Sequence, residues 1–177
     1  MIHQKTYVLT CEDAIPTVAS QDYRDAMSHF SSAVHIVTTK GSAGQRGVTI
    51  SAACSLSDNP PTILVCLMRQ KAANKIFLEN KNFCLNSLAG HQQDLSNVFA
   101  GWGGISEEER FNAAKWQTLK TGAPALVGAL ASFDCQLVCW HEHATHFILI
   151  GRVVSIRRGN AENSLIYLNR SYHTLPL

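Results

Sequence analysis

Charge is scarce in this chain and scattered. Asp, Glu, Lys and Arg make up 16% of 177 residues, 15 basic against 13 acidic. There is no run of basic charge, so the basic stripe of a protein that lives on phosphate backbones is missing, and no nucleic-acid partner is expected. No apolar stretch approaches the roughly 20 residues of a membrane-spanning helix, and no membrane partner is expected either. Residues 1–20 mix Gln, Lys, Glu and Asp with apolar residues and lack the continuous hydrophobic segment of a secretion signal. Repeats and low-complexity tracts are also absent. What remains is 46% apolar, with 11 Gly and 5 Pro, which excludes a disordered chain. A chain of this length typically buries roughly 70% of its unfolded surface, enough for one self-sufficient core.

Several catalytic signatures are missing too. There is no G-x-S-x-G nucleophile turn. Gly41, Gly44 and Gly47 do not make G-x-G-x-x-G, and no βαβ unit surrounds them, so they indicate turns. Glu107-Glu108-Glu109 lies in a polar segment and is expected to be a solvated face rather than an acid/base pair.

Six cysteines are present, but five of them (Cys54, Cys66, Cys84, Cys135, Cys139) lie inside apolar, strand-like runs. They lack the short loop spacing of a secreted disulfide scaffold and point to buried thiols in a reducing cytoplasm. Cys135, Cys139, His141, His143 and His146 form a tempting metal cluster. Four of them would share one face of a strand, yet ligands four apart on a strand are too far apart for a compact tetrahedron. The string around His141 also lacks the second histidine of H-E-x-x-H. A turn between two long strands is the preferred reading for His141 and His143, and no metal is expected. His146 opens the following strand and can project into a cleft.

Residues 1–19 are expected to be an arm, with one domain over 20–177. Ser20 is the expected cap of a helix over 21–31, whose Tyr23, Met27 and Phe30 recur at helical spacing. Strands are predicted at 33–39 and 47–57 as a hairpin, and at 61–68 and 82–88. Helices are predicted at 71–80 and 91–101. The polar, Gly-interrupted segment 101–124 is expected to run over the surface, with a helical turn around Glu107–Arg110. Beyond 125 the pattern is almost wholly β. The fold class is therefore mainly β, an antiparallel barrel with a few flanking helices.

One segment is odd for a barrel strand: Thr49, Ser51, Ala52, Ala53, Cys54 and Ser55 are small or hydroxyl-bearing. Small side chains let a flat ligand approach the backbone. A crowded strand crossing would need the same residues, and periodicity does not choose between the two.

The ordered set R-D-A-M-S-x-x-S-S-A-V-x-I-V-T-T, G-V-T-I-S-A-A-C-S-L-S-D-N-P-P-T-I-L-V-C-L, F-C-L-N-S-L, N-V-F-A-G, E-E-R-F, T-H-F-I-L-I-G-R-V and R-S-Y-H-T-L resembles the short-chain NAD(P)H:flavin reductases. The likeness runs from about residue 23 to 175. It is greatest to the reductase component of 4-hydroxyphenylacetate 3-monooxygenase, and the reductase of the pyrimidine-utilisation pathway is also similar. The resemblance implies a split β-barrel of the FMN-binding type, a homodimer, and a separate oxygenase that receives reduced flavin by diffusion. FMN or FAD, with NADH or NADPH, are the implied cofactors.

Carried over by position, Thr49, Ile50, Ser51, Ala52, Ala53 and Cys54 should flank the isoalloxazine ring. Met68, Arg69 and Lys71 should meet the ribityl chain and phosphate, Asn86, Ser87 and Leu88 a further flavin-lining strand end, and Phe99, Ala100 and Gly101 a closing loop. His146 should orient nicotinamide as the catalytic residue, with Tyr172 near the same pocket. Two departures stand out. Ala144-Thr145 replaces a frequent Gly-Asp before that histidine, and Lys71 stands where many relatives carry Ser.

Overall fold

The computed structural model describes residues 15–177. Residues 1–14, most of the expected arm, lie outside it. The chain opens with helix α1 (Ser20–Ser28), the two-residue strand β1 (Ser32–Ala33), and strands β2 (His35–Gly41), β3 (Gly44–Ile50), β4 (Ala53–Asp58) and β5 (Pro61–Met68). Helix α2 (Ile76–Asn80) and strand β6 (Asn82–Ser87) follow, then helices α3 (Gln93–Ala100) and α4 (Glu107–Asn112). The chain ends with strands β7 (Trp116–Thr118), β8 (Pro124–Leu126), β9 (Ala131–His143), β10 (His146–Arg158), β11 (Asn163–Leu168) and β12 (Ser171–Pro176). No helix among the described residues is long and apolar enough to cross a membrane.

Seven strands form one antiparallel sheet in the order β3-β2-β6-β9-β10-β5-β4. Its two edge strands, β3 and β4, are neighbours in sequence, separated only by Ser51 and Ala52. Three Cα–Cα steps reach at most roughly 11 Å, so the edges must meet and the sheet must curl on itself. The expected antiparallel split barrel is therefore present, and its split is the Ser51–Ala52 link. A single strand over 47–57 was expected, and the structure corrects this. The run has no Gly or Pro between residues 48 and 57 to interrupt it, but its two halves pair with β2 and β5 at opposite edges.

The strands bury aliphatic, aromatic and thiol side chains. Val37, Val65, Leu67, Phe83, Cys135 and Leu149 fill the barrel and Phe77 of α2 plugs it, all 0–1% exposed. Each fully buried side chain of this kind contributes about 1.5–3 kcal/mol. A second apolar cluster lies outside the sheet under α3 and α4, where Phe99, Phe111 and Trp116 stack with ring centroids 5.0–5.6 Å apart. The segment 101–124 is thus not a plain surface excursion. Its Phe111 and Trp116 are anchors, and β7 pairs with β8.

Two further expectations change. Ser20 is the first helical residue of α1 rather than its cap; Ala19 precedes it, without a capping side chain. The helix ends at Ser28, short of the expected 31, and none of its residues is buried, so Tyr23, Met27 and the following Phe30 all face outward. Strand β9 is irregular between Leu137 and Cys139, where Val138 has no partner on β10, so the even alternation assumed for Cys135, Cys139, His141 and His143 fails. Cys135 points into the core while His141 and His143 are exposed.

Candidate active site

Where the sheet edges meet, a cavity of about 380 Å³ opens beside the Ser51–Ala52 link. The link is fixed by its own backbone: the Ala53 N–H donates to Ser51 O (3.1 Å) and the Cys66 N–H to Ala52 O (2.9 Å). Thr49 is pinned from the side, its hydroxyl donating to Ser96 O of α3 at 2.7 Å. Helix α3 approaches β3 this closely because residue 47 is glycine. A Cβ there would stand 2.4 Å from the Phe99 ring.

Ten of the residues singled out by resemblance line this cavity together: Thr49, Ile50, Ser51 and Ala52 at the link, Met68 at the end of β5 and Lys71 beyond it, Phe99, Ala100 and Gly101 at the end of α3, and His146 at the start of β10. His146 sits at the end of its strand, opposite Met68 on β5 and His143 on β9. Its Nδ1 and the Thr145 hydroxyl share a hydrogen bond of 2.8 Å. A cavity of this size, walled by both apolar and cationic side chains, has the dimensions of a small-molecule site.

The other sequence-derived positions lie elsewhere. Ala53 and Cys54 line a separate apolar cleft of about 370 Å³ with His35, Ile63, Phe133 and Ile156, because the break at 51–52 turns β4 to the far edge. Arg69 pairs with Glu142 on the surface at 2.5 Å. Tyr172 faces a smaller adjoining cleft of about 170 Å³ with Tyr167, sharing Thr49, Ile50 and Ser51 with the main cavity. Its hydroxyl is bonded to Ser96 Oγ at 2.9 Å.

Asn86 and Leu88 are fully buried and Ser87 lies between them in the sheet, so none of the three lines the cavity. The Asn86 carboxamide is a structural hub. Its oxygen accepts from the Leu126 N–H and the Ser132 hydroxyl, both at 2.8 Å, and its NH2 donates to Ile36 O at 3.1 Å.

Sequence reasoning missed five wall residues: Arg46, Val48, Cys66, Asn74 and Arg110. Arg46 was hidden in a segment with turn composition, and Arg110 beside three glutamates. The available signal was the Glu107/Arg110 spacing of three on a helix. Glu107 is not a free solvated carboxylate. It pairs with Arg46, with Arg110 (3.0 Å) and with the Gly47 N–H (3.2 Å). Asn74 is 1% exposed, and its side chain donates to Met68 O (2.8 Å) and accepts from Arg46 Nε (3.2 Å).

Burial raises the Cys66 thiol above its ordinary value, with Cys54 nearby adding to the effect. Cys135 is pushed up to about 12 and Cys84 still further, first by burial and then by the Asp134 carboxylate. All five described cysteines are free. Among the described residues no three His, Cys, Asp or Glu side chains converge as a metal site.

Residues 27–176 match the family model described as a flavin reductase-like domain. The chain is 45% identical over 160 residues to a protein of Serratia proteamaculans named FMN reductase (NADH) RutF, covering 90% of each chain. Among solved structures, a candidate flavin reductase from Haemophilus somnus 129PT superposes with a TM-score of 0.85 at 46% identity, over 89% of this chain and 100% of its own. BorF, the flavin reductase component of a bacterial two-component tryptophan halogenase, gives 0.82 at 30% identity, over 90% of this chain and 99% of its own.

Proposed function

Because the chain belongs to the flavin reductase-like domain family, we propose that it is an NADH-dependent FMN reductase that releases reduced flavin to a separate oxygenase. The observation that carries this reading is the cavity at the split of the barrel, floored by Thr49–Ala52, with His146 and Lys71 on its walls. Small residues at the floor admit a flat ring, and the open side leaves room for a second ring to stack. Bound flavin would accept hydride from nicotinamide, chemistry that needs no strong protein acid or base. The protein's own task is then to hold the two rings roughly 3–3.5 Å apart. His146, at the strand end, is suited to orient nicotinamide, and the backbone of 49–52 to hold the flavin edge.

Of the two branches the resemblance points to, the pyrimidine-utilisation reductase is the better supported, since the Serratia relative bears the RutF name. The oxygenase partner is proposed by analogy with the halogenase reductase component. A cytoplasmic setting fits the free thiols.

A homodimer is part of the same proposal. Leu56 and Ile156 are 51% and 53% exposed beside the apolar cleft of β4, β5 and β10, and the α1 stripe is bare as well. A second copy is the occupant that would cover them.

The test is anaerobic stopped-flow mixing of the FMN-loaded protein with NADH. Bleaching of the oxidised-flavin absorbance on a catalytic timescale is expected. Binding without bleaching would leave a flavin-holding module and overturn the reductase reading.

A further inference from the structure

The imidazole of His146 is held at one nitrogen only. Its Nδ1 lies 2.8 Å from the Thr145 hydroxyl, and among the described residues no other group bonds to the ring. The side chain lines the cavity, so Nε2 is the nitrogen left for a ligand. In a neutral imidazole the partner of one nitrogen decides whether the other donates or accepts. Thr145 therefore controls the face that His146 shows to the cavity.

The turn that carries Thr145 is both strained and clamped. Only Ala144 and Thr145 join β9 to β10. Ala144 takes a positive φ of 47°, a left-handed conformation that an L side chain disfavours. Such strain persists only where the surroundings over-determine it. Here two ties run to the segment after β5: the Arg69 N–H donates to Thr145 O at 3.0 Å, and the Arg69 guanidinium pairs with Glu142. The backbone at 145 is thus fixed against β5, and a β-branched side chain has few ways to point its hydroxyl from there. His146 is fixed in turn by its ladder partners, Met68 and His143.

We propose that Thr145 is a positioning residue for His146: its hydroxyl donates to Nδ1, leaves the ring proton on Nε2, and so presents an N–H donor to the carboxamide oxygen of nicotinamide. The inference rests on the nicotinamide-orienting role given to His146 above. Among the described residues the Thr145 hydroxyl has no other partner, so its proton is free for Nδ1. A carboxamide offers one acceptor oxygen and one donor NH2, and turning it over exchanges the two. A ring locked as an Nε2–H donor takes the group with its oxygen inward and rejects the reverse. A ring free to change tautomer would hold both.

The test is a double-mutant cycle read as KM for NADH, with the FMN dissociation constant beside it, in Thr145→Val, Thr145→Ser, His146→Ala and the Val/Ala pair. Thr145→Val drops the hydroxyl and should raise KM for NADH about fourfold, with FMN affinity within about twofold of the wild type. Thr145→Ser keeps the hydroxyl and should stay within about twofold on both. In the His146→Ala background Thr145→Val should add less than about twofold, since the hydroxyl then has nothing to aim. An unmoved KM in Thr145→Val, a Ser variant as impaired as Val, or an undiminished effect without the imidazole each overturns the proposal. The wild type tests it with no dependence on the Thr145 variants. Nitrogen-15 spectra in slightly alkaline buffer, with the His146 signals assigned by their loss in His146→Ala, should show a protonated Nε2 and a bare Nδ1. The opposite tautomer, or averaged signals, also overturns it. His146→Ala with unchanged KM would remove the nicotinamide role of His146 and this proposal with it, whereas a wild type that does not reduce FMN with NADH would sink the reductase reading itself.

Discussion

Asn86 was expected at a ligand-bearing strand end and instead ties four segments together in the core. Truncating it leaves the buried Leu126 N–H and Ser132 hydroxyl unsatisfied, each worth about 1–3 kcal/mol. Asn86→Ala is therefore expected to lose about 2–4 kcal/mol in urea unfolding, while the folded fraction keeps its FMN affinity. Loss of FMN binding with an intact unfolding midpoint would return the residue to the site.

His146 is the converse case, a polar residue that sequence placed at a cleft and that does line the cavity. His146→Ala should raise KM for NADH by about tenfold while the FMN dissociation constant moves by less than about threefold. Equal losses for both ligands would reassign the side chain to flavin. His146 was legible because a histidine opening a β-branched run sits at a strand end. Arg46 was not, because its partner Glu107 lies 61 residues on in sequence.

Among the elements, the strands with apolar, β-branched runs were legible, since alternation and burial are local signals. The break at Ser51–Ala52 was not, because strand propensity says nothing about which edge a strand joins. Nor was the anchoring of 101–124, where Gly and Glu mask Phe111 and Trp116, whose packing partner Phe99 lies in α3. The small-residue run marks the link where two cavities lie back to back but hides which residue lines which. Residues 49–52 face the main cavity, and Ala53 and Cys54 face the apolar cleft. Ser51 is exposed at that link and lines both the main cavity and the tyrosine cleft. Ser51→Trp should block both volumes, weakening FMN at least tenfold in fluorescence titration. Exposed positions usually tolerate change within about 0.5 kcal/mol, so the unfolding midpoint should hold. Undiminished FMN binding would put the ring elsewhere.

For the whole molecule, the uncovered apolar cleft and its single imidazole matter most. His35 faces that cleft with its Nδ1 buried and unpartnered, and burial lowers its pKa to about 4. Asp58 is the carboxylate on the same cleft, but it is exposed and screened by water. The folded value lies below the ordinary histidine value of about 6.5, so between the two the unfolded chain binds more protons. Stability is then full above about pH 6.5 and falls as the pH drops toward 4, by about 2 kcal/mol at pH 5 for this one group. Urea unfolding at pH 7.5 and 5 should show the wild type losing about that much more than His35→Gln, and identical losses would remove the imidazole as the cause. A second copy seated on the cleft would desolvate His35 further, so acid should also split the pair. At pH 7.5 sedimentation should give twice the chain mass of 19.4 kDa, shifting toward the single chain at pH 5. In His35→Gln the paired species should persist, because no charge then has to form inside a closed apolar seam.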